Sequence, residues 1–314
     1  MKKDVYELTN PQMSIYLTEQ FIDNPMNNIV GTMYFKKDID IKLLKQAVNL
    51  TVKNNQAMRT TIIKNGDTPM QYFKDFSPFD IKEYDFSDQT LESFKDFQKS
   101  FSQETFDLFE NPLFQFVICI LSNDEIALIG KFHHLIADAW SLGLIIDNIA
   151  IYYTRLLNHL EIPENLSLYS DFIKREKTYL ESENYKKNKA FWEKALENAE
   201  PISLKNSSSD SYKANRLTYD FSLEETNLIN NFCKQNGISA YILFLTVITI
   251  YLYRVSSYDN FTIQTPVLNR IGKEKNTIGM FINMISIKMK DVSNLSVKDL
   301  LKKIATESVS YFKN

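Results

Sequence analysis

Between Glu125 and Phe132 the chain is apolar at nearly every position, whereas from Ser141 to Tyr153 apolar residues recur at helical spacing. The first pattern suits a buried strand and the second one face of a helix, so a strand feeds a helix here. The same two periods recur elsewhere. Asn10-Pro11 predicts a capped helix over Gln12 to Ile22 with proline at its first position. A strand is expected at about Asn28 to Lys36, then an amphipathic helix capped by Asp40 and running to Val52. Met58 to Ile63 and Met70 to Lys74, joined through Asn65-Gly66-Asp67, read as a hairpin. A short strand near Ile81 precedes a helix at about Leu91 to Phe101. A second hairpin then pairs Phe114–Ile120 with Ile126–Phe132 through Asn123-Asp124.

Beyond a long helix ending near His159, Glu161 to Asn165 reads as a boundary and Asn206 to Ser211 as a flexible surface loop, with two charged helices between them. The second half predicts a strand at Arg216 to Phe221, a helix from Glu224 to Lys234 and a buried helix capped by Ser239. Strands near Phe261–Val267 and Met284–Met289 and a last helix from about Ser296 almost to Asn314 complete it. The longest apolar run, Ile238 to Tyr253, is broken by Ser239 and Thr246 and too short for a bilayer, which makes it a core helix. Strand and helix patterns in both halves predict an α/β protein of two similar lobes, residues 1–165 and 166–314, without a fixed-period repeat.

Length supports that division, because 314 residues exceed what one core comfortably holds. Seven glycines and the absence of GxGxxG or GxxxxGK[ST] strings argue against a glycine-rich phosphate loop. A net charge of −3 offers no long-range attraction to nucleic acid. Cys119 and Cys233 lie far apart in apolar runs and read as free thiols, and the Met-Lys-Lys-Asp start lacks a signal-type apolar stretch. A cytoplasmic protein with no membrane or nucleic-acid partner is expected.

Candidate chemistry concentrates in one place. His133-His134-Leu135-Ile136-Ala137-Asp138-Ala139-Trp140-Ser141 gathers two of the three histidines, an acid and a hydroxyl at the end of the strand and the mouth of the helix. Successive strand side chains point to opposite faces, so only one histidine can aim at a given substrate, and the residues themselves do not say which. A metal site is disfavoured, because no HxxxH or CxxC pairing accompanies them. Asp138 suits the N-cap of the following helix. It also suits an ion pair with Arg270, which follows a predicted strand.

HHLIADAWS resembles the HHxxxDG core motif of condensation domains from nonribosomal peptide synthetases, in the superfamily of chloramphenicol acetyltransferase. Leu8-Thr9-Asn10-Pro11-Gln12 resembles that family's opening helix motif, and Asn55-Gln56-Ala57-Met58-Arg59-Thr60 its RHExLRT element. Tyr169-Ser170-Asp171-Phe172 is similar to its YxDF element. Thr265-Pro266-Val267-Leu268-Asn269-Arg270, followed by Ile278-Gly279-Met280-Phe281-Ile282-Asn283, resembles PVxNR…IGxFVN. Two departures stand out. Ala139 replaces the motif glycine, and the chain stops at Asn314 about where members continue into an HQDxPFE segment, so the second lobe is expected to be incomplete.

The resemblance implies two chloramphenicol acetyltransferase-like lobes in a V-shaped pseudo-dimer that joins a donor acyl or peptidyl thioester to an acceptor aminoacyl thioester. Donor and acceptor carrier proteins would supply both on phosphopantetheine arms, next to adjoining synthetase domains in antibiotic biosynthesis. The domain itself would hold no cofactor and no metal. It further implies His134 as the catalytic residue, with His133, Asp138 and Arg270 structural. Ala139, Trp140, Ser141 and Asn283 are then candidates for substrate or oxyanion contacts. An epimerisation domain shares the HHxxxD core, as does a coenzyme A-dependent acyltransferase, but Ala139-Trp140-Ser141-Leu142 and the YSDF and IGMFIN matches favour condensation. A non-catalytic fragment that binds a carrier protein is the reading from another class.

Overall fold

The computed structural model describes residues 4–21, 25–122, 124–164, 167–199, 202 and 217–314. The expected loop at Asn206 to Ser211 therefore lies outside the described residues, as do Ile22, Asn123, Asn165 and Arg216 at the ends of expected segments. In chain order the first elements are β1 (Tyr6–Glu7), α1 (Asn10–Phe21), β2 (Asn28–Lys36), α2 (Ile41–Asn54), β3 (Thr60–Asn65), β4 (Thr68–Phe73) and β5 (Lys82–Phe86). Next come α3 (Leu91–Gln103), β6 (Phe114–Leu121), β7 (Glu125–His133), α4 (Ala139–Leu157), α5 (Tyr169–Leu180) and α6 (Glu183–Ala195). The last are α7 (Leu223–Asn236), α8 (Ala240–Ser256), β8 (Phe261–Val267), β9 (Asn283–Met289) and α9 (Val297–Lys313). The mixed α/β class expected from the pattern is the one observed.

Two compact units divide the chain. One comprises residues 1–181 with 268–283, the other 182–267 with 284–314. The first is built on a sheet of order β2-β7-β6-β5, with β5 parallel to β6 and the remaining pairs antiparallel. β7 is buried along all but its first residue, because both of its faces are covered. Ile126 and Leu128 pack with Leu44, Val48 and Val52 of α2 and Ile145 and Ile149 of α4. Ala127 and Ile129 point the other way, toward Phe94 and Phe101 of α3. This alternation explains why β7 reads as a continuous apolar run. A second sheet, β1-β4-β3, carries the first hairpin.

Local chemistry sets the boundaries. Asp40 Oδ1 accepts from the backbone N–H groups of Lys42 and Leu43 at 2.8 and 3.0 Å, starting α2 where expected. α1 starts differently. Thr9, not Asn10, is its cap: Thr9 Oγ1 accepts from the Gln12 N–H at 3.4 Å while Gln12 Oε1 accepts from the Thr9 N–H at 3.0 Å. That reciprocal Thr-x-x-Gln arrangement is a capping box. The expected strand start at Met58 is also corrected, since residues 56–59 form a short 3-10 turn and the strand begins at Thr60.

In the second unit, β8 pairs with β9, and Leu245, Phe261, Ile287, Leu300, Ile304 and Tyr311 form the core with Phe191 and Trp192 of α6. Two expectations fail here. The described residues 217–221 are irregular rather than a strand. α8 is not a buried core helix: only Leu245, Thr246 and Thr249 are buried, and Tyr241, Phe244, Val247, Ile248, Tyr251 and Val255 are exposed. An apolar run shows that a helix avoids charge, not that every face is covered. Among the described residues no single helix is long and apolar enough to cross a membrane; α7 and α8 pass such a test only as a pair bent by 98°.

Candidate active site

The motif occupies the transition from β7 to α4, and each of its polar residues is placed by a different constraint. His133 ends β7 and is buried, its N–H bonded to the Leu113 carbonyl at 2.8 Å. Its Nδ1 accepts from the Leu135 N–H at 3.1 Å, so in the neutral ring the proton sits on Nε2. Nε2 lies 3.6 Å from Glu19 Oε2. His133 is thereby committed to the turn that follows it.

His134 is only half-buried, and its N–H is held by the Asn27 carbonyl at 2.8 Å. Its Nδ1 is out of solvent without a hydrogen-bond partner. Burial lowers the pKa of the ring below its ordinary 6.5, outweighing the backbone carbonyls of His134 and Ala137 and the charge of Asp138, which act the other way. The imidazole is therefore neutral at pH 7 and available as a base. A second fixing point comes from α1, where Gln12 Nε2 donates to the Leu135 carbonyl at 2.9 Å. Gln12 and Gln71 are both buried and exchange amide hydrogen bonds of 3.0 and 2.7 Å.

Asp138 does not meet the histidines. Its side chain and that of Arg270 are wholly buried and joined by a bidentate pair, Nη1 to Oδ2 at 2.7 Å and Nη2 to Oδ1 at 2.8 Å. Asp138 also accepts from the N–H groups of Ser141, Phe281 and Ile282 at 2.9, 3.1 and 3.2 Å. Burial pushes its pKa up, but Arg270 and these N–H groups outweigh that, leaving the carboxyl below its ordinary value. The Arg270 guanidinium lies over the Phe281 ring, 4.2 Å from its centroid. Asp138 is thus both N-cap of α4 and anchor of the 268–283 segment.

Ser141 belongs to the same latch. Its hydroxyl accepts from Arg270 Nη2 and the Gly279 N–H, both at 3.0 Å, and its single proton serves either Asp138 Oδ1 or the Gly279 carbonyl. Fully buried and fully engaged, it has no capacity left for an oxyanion, so the contact expected of Ser141 is replaced by this structural one. Ala139 and Trp140 are exposed, with the indole N–H donating to the Lys275 carbonyl at 2.8 Å. Asn283 is exposed at the start of β9. The segment is clamped again by Arg175, which donates to both Glu274 oxygens at 2.7 and 3.0 Å and to the Asn269 carbonyl. Among the described residues no three His, Cys, Asp or Glu side chains gather as a metal site.

Sequence reasoning missed Glu19, Gln71 and Arg175, which no local pattern marks. Gln12 was visible, both in the opening motif and as the fourth residue of Thr-x-x-Gln.

Comparison with known proteins gives the family and the fold. The Condensation domain family model matches residues 2–314. Surfactin synthase subunit 1 of Bacillus subtilis (strain 168) is 29% identical over 300 residues, covering 92% of this chain and 8% of its own. Bacitracin synthase 3 of Bacillus licheniformis is 23% identical over 325 residues, covering 100% of this chain and 5% of its own. The chain thus spans a small fraction of these relatives. Among solved structures, the first condensation domain of the calcium-dependent antibiotic synthetase, in complex with a substrate analogue, superposes with a TM-score of 0.85 at 16% identity. That match covers 98% of this chain and 74% of the other. The chain belongs to the Condensation domain family.

Proposed function

We propose that this chain forms an amide bond between a donor acyl or peptidyl thioester and the amine of an acceptor aminoacyl thioester, with His134 as the residue that touches the reacting nitrogen. The observation that carries this reading is a half-buried imidazole just past the end of β7, its pKa lowered by burial, backed by a turn that His133, Asn27 and Gln12 fix from three sides. Such a ring suits proton transfer near neutral pH.

The chemical demand on it is modest. An α-amino group has a pKa of about 7.7–8.0, so freeing it at pH 7 costs only about 1.4 kcal/mol. Aligning nitrogen with carbonyl carbon supplies more of the barrier reduction. In this scheme the amine attacks the donor carbonyl, the C–N bond forms, and His134 takes the proton that the nitrogen sheds. Collapse breaks the C–S bond, and the proton passes to the departing sulfur. Asp138 and Arg270 act through position alone.

Donor and acceptor carrier proteins, with phosphopantetheine as their thioester arm, are the partners proposed on this reading, and the two units, residues 1–181 with 268–283 and 182–267 with 284–314 rather than 1–165 and 166–314, are its two lobes. The test is single-turnover amide formation between loaded donor and acceptor carriers, in a protein containing this chain. His134→Ala should lose at least about 100-fold, the usual range for a positioned acid–base group, with the melting temperature unchanged. A rate within threefold of the parent would remove His134 from the reaction. Absence of acyl transfer in the parent would leave carrier binding without catalysis as the better reading.

A further inference from the structure

Of the motifs seen in the sequence, Arg59-Thr60 has no part in the latch or the histidine turn. Both residues instead line a cavity of about 490 Å³ in the first unit, a volume typical of small-molecule sites. β5 pairs with β6 only from Val117 onward, and the cavity lies against the stretch Phe114–Phe116. Phe76, Phe79, Phe114 and Phe116 give it an aromatic wall, with the Phe79 and Phe114 rings 5.2 Å apart.

Its polar groups are incompletely used. Arg59 has five N–H donors, yet among the described residues makes one hydrogen bond, from Nη1 to the Lys74 carbonyl at 2.7 Å, while its Nε is out of solvent and unpartnered. Asp75 lines the same cavity and its charge acts on Arg59, although the two form no close ion pair among the described residues. Thr60 is only 2% exposed, and its Oγ1 also lacks a partner. A half-buried guanidinium with vacant donors is costly unless something accepts from it. Of the other acids of the lining, Asp80, Glu104 and Glu110, the first two are already paired with Lys45 and Lys131.

We propose that this cavity binds a small organic anion, an apolar and preferably aromatic body carrying one carboxylate, with Arg59 holding the carboxylate. Asp75 and Glu110 in the lining oppose a second negative charge, which favours carboxylate over phosphate. The inference does not depend on the chemistry at His134, because neither histidine lines the cavity.

Calorimetric titration of the whole chain tests it with three probes: biphenyl-4-carboxylate, the neutral isostere biphenyl-4-carboxamide, and biphenyl-4-yl phosphate. The carboxylate should bind at least tenfold more tightly than the amide, equivalent to about 1.4 kcal/mol, and more tightly than the phosphate. Arg59→Gln should erase the preference for the carboxylate. Arg59→Lys, which keeps the charge and removes the planar fork of donors, should weaken carboxylate binding threefold or more, and it decides the matter if Arg59→Gln does not fold. His134→Ala should leave the affinity as it is. Equal binding of carboxylate and amide, tighter binding of the phosphate, or affinity unchanged by Arg59→Lys in a folded protein would overturn the proposal.

Discussion

Asp138 illustrates how one residue serves two ends. The sequence offered two readings, helix cap and partner of Arg270, and the structure combines them, because one carboxylate has lone pairs enough for both. Removing it strands the Arg270 charge inside the protein. Asp138→Ala should therefore lower the unfolding free energy by about 3–5 kcal/mol in urea titration at pH 7, and a loss below about 1 kcal/mol would contradict the latch. The sign of the pH dependence follows from the depressed pKa. A carboxyl bound more tightly as the anion when folded contributes stability above its unfolded value, near 3.8, and loses it as pH falls through the lower folded value. Acid unfolding of the parent should accordingly steepen below about pH 4, and Asp138→Asn should remove that part of the slope. Ser141 was legible as a polar residue of the motif but not as a filled one, since its partners Arg270 and Gly279 stand 129 and 138 positions away.

Periodicity served best where one element faces one neighbour. β2, α2 and α3 lie close to where their patterns put them, since each presents a single apolar face to the main sheet or belongs to it. It served less well at ends, where specific side chains decide. The Thr9–Gln12 box shifted the start of α1 by one residue and also delivered the Gln12 amide to Leu135. Gln12→Met, similar in size but apolar, leaves Gln71 Oε1 and the Leu135 carbonyl without their donor and should cost about 1–3 kcal/mol in thermal or urea unfolding. Full stability in that variant would mean the amide pair carries nothing. The meeting of α5 with the 268–283 segment gives a sharper case. A Cβ on Gly279 would stand 2.3 Å from the Tyr169 ring, and that ring is wedged against Phe172 and Phe281 with its hydroxyl donating to the Met280 carbonyl at 2.7 Å. Gly279→Ala should destabilise by about 3 kcal/mol, the upper end for overpacking, with a matching fall in melting temperature. A neutral outcome would show that the ring has room to move.

At the scale of the whole molecule, what local pattern could not convey is the return of residues 268–283 to the first unit. That return rests on pairs distant in sequence, Arg270 with Asp138 and Glu274 with Arg175, and nothing in the spacing of either partner announces them. The family motifs did mark the segment, because Asn269, Arg270 and Gly279 are the residues whose side chain or close approach the arrangement requires. Apolar pattern misled for α8, whose outward face stays exposed, and for residues 217–221, which are irregular rather than a strand. The account as a whole rests on a neutral imidazole at His134, so the pH dependence of single-turnover amide formation tests it most directly. The acidic limb should have its midpoint below 6.5, the ordinary imidazole value, and coincide with the NMR titration of the His134 ring, which is easily assigned among three histidines. A limb at or above 6.5, or a rate that stays flat while His134 titrates, would contradict it.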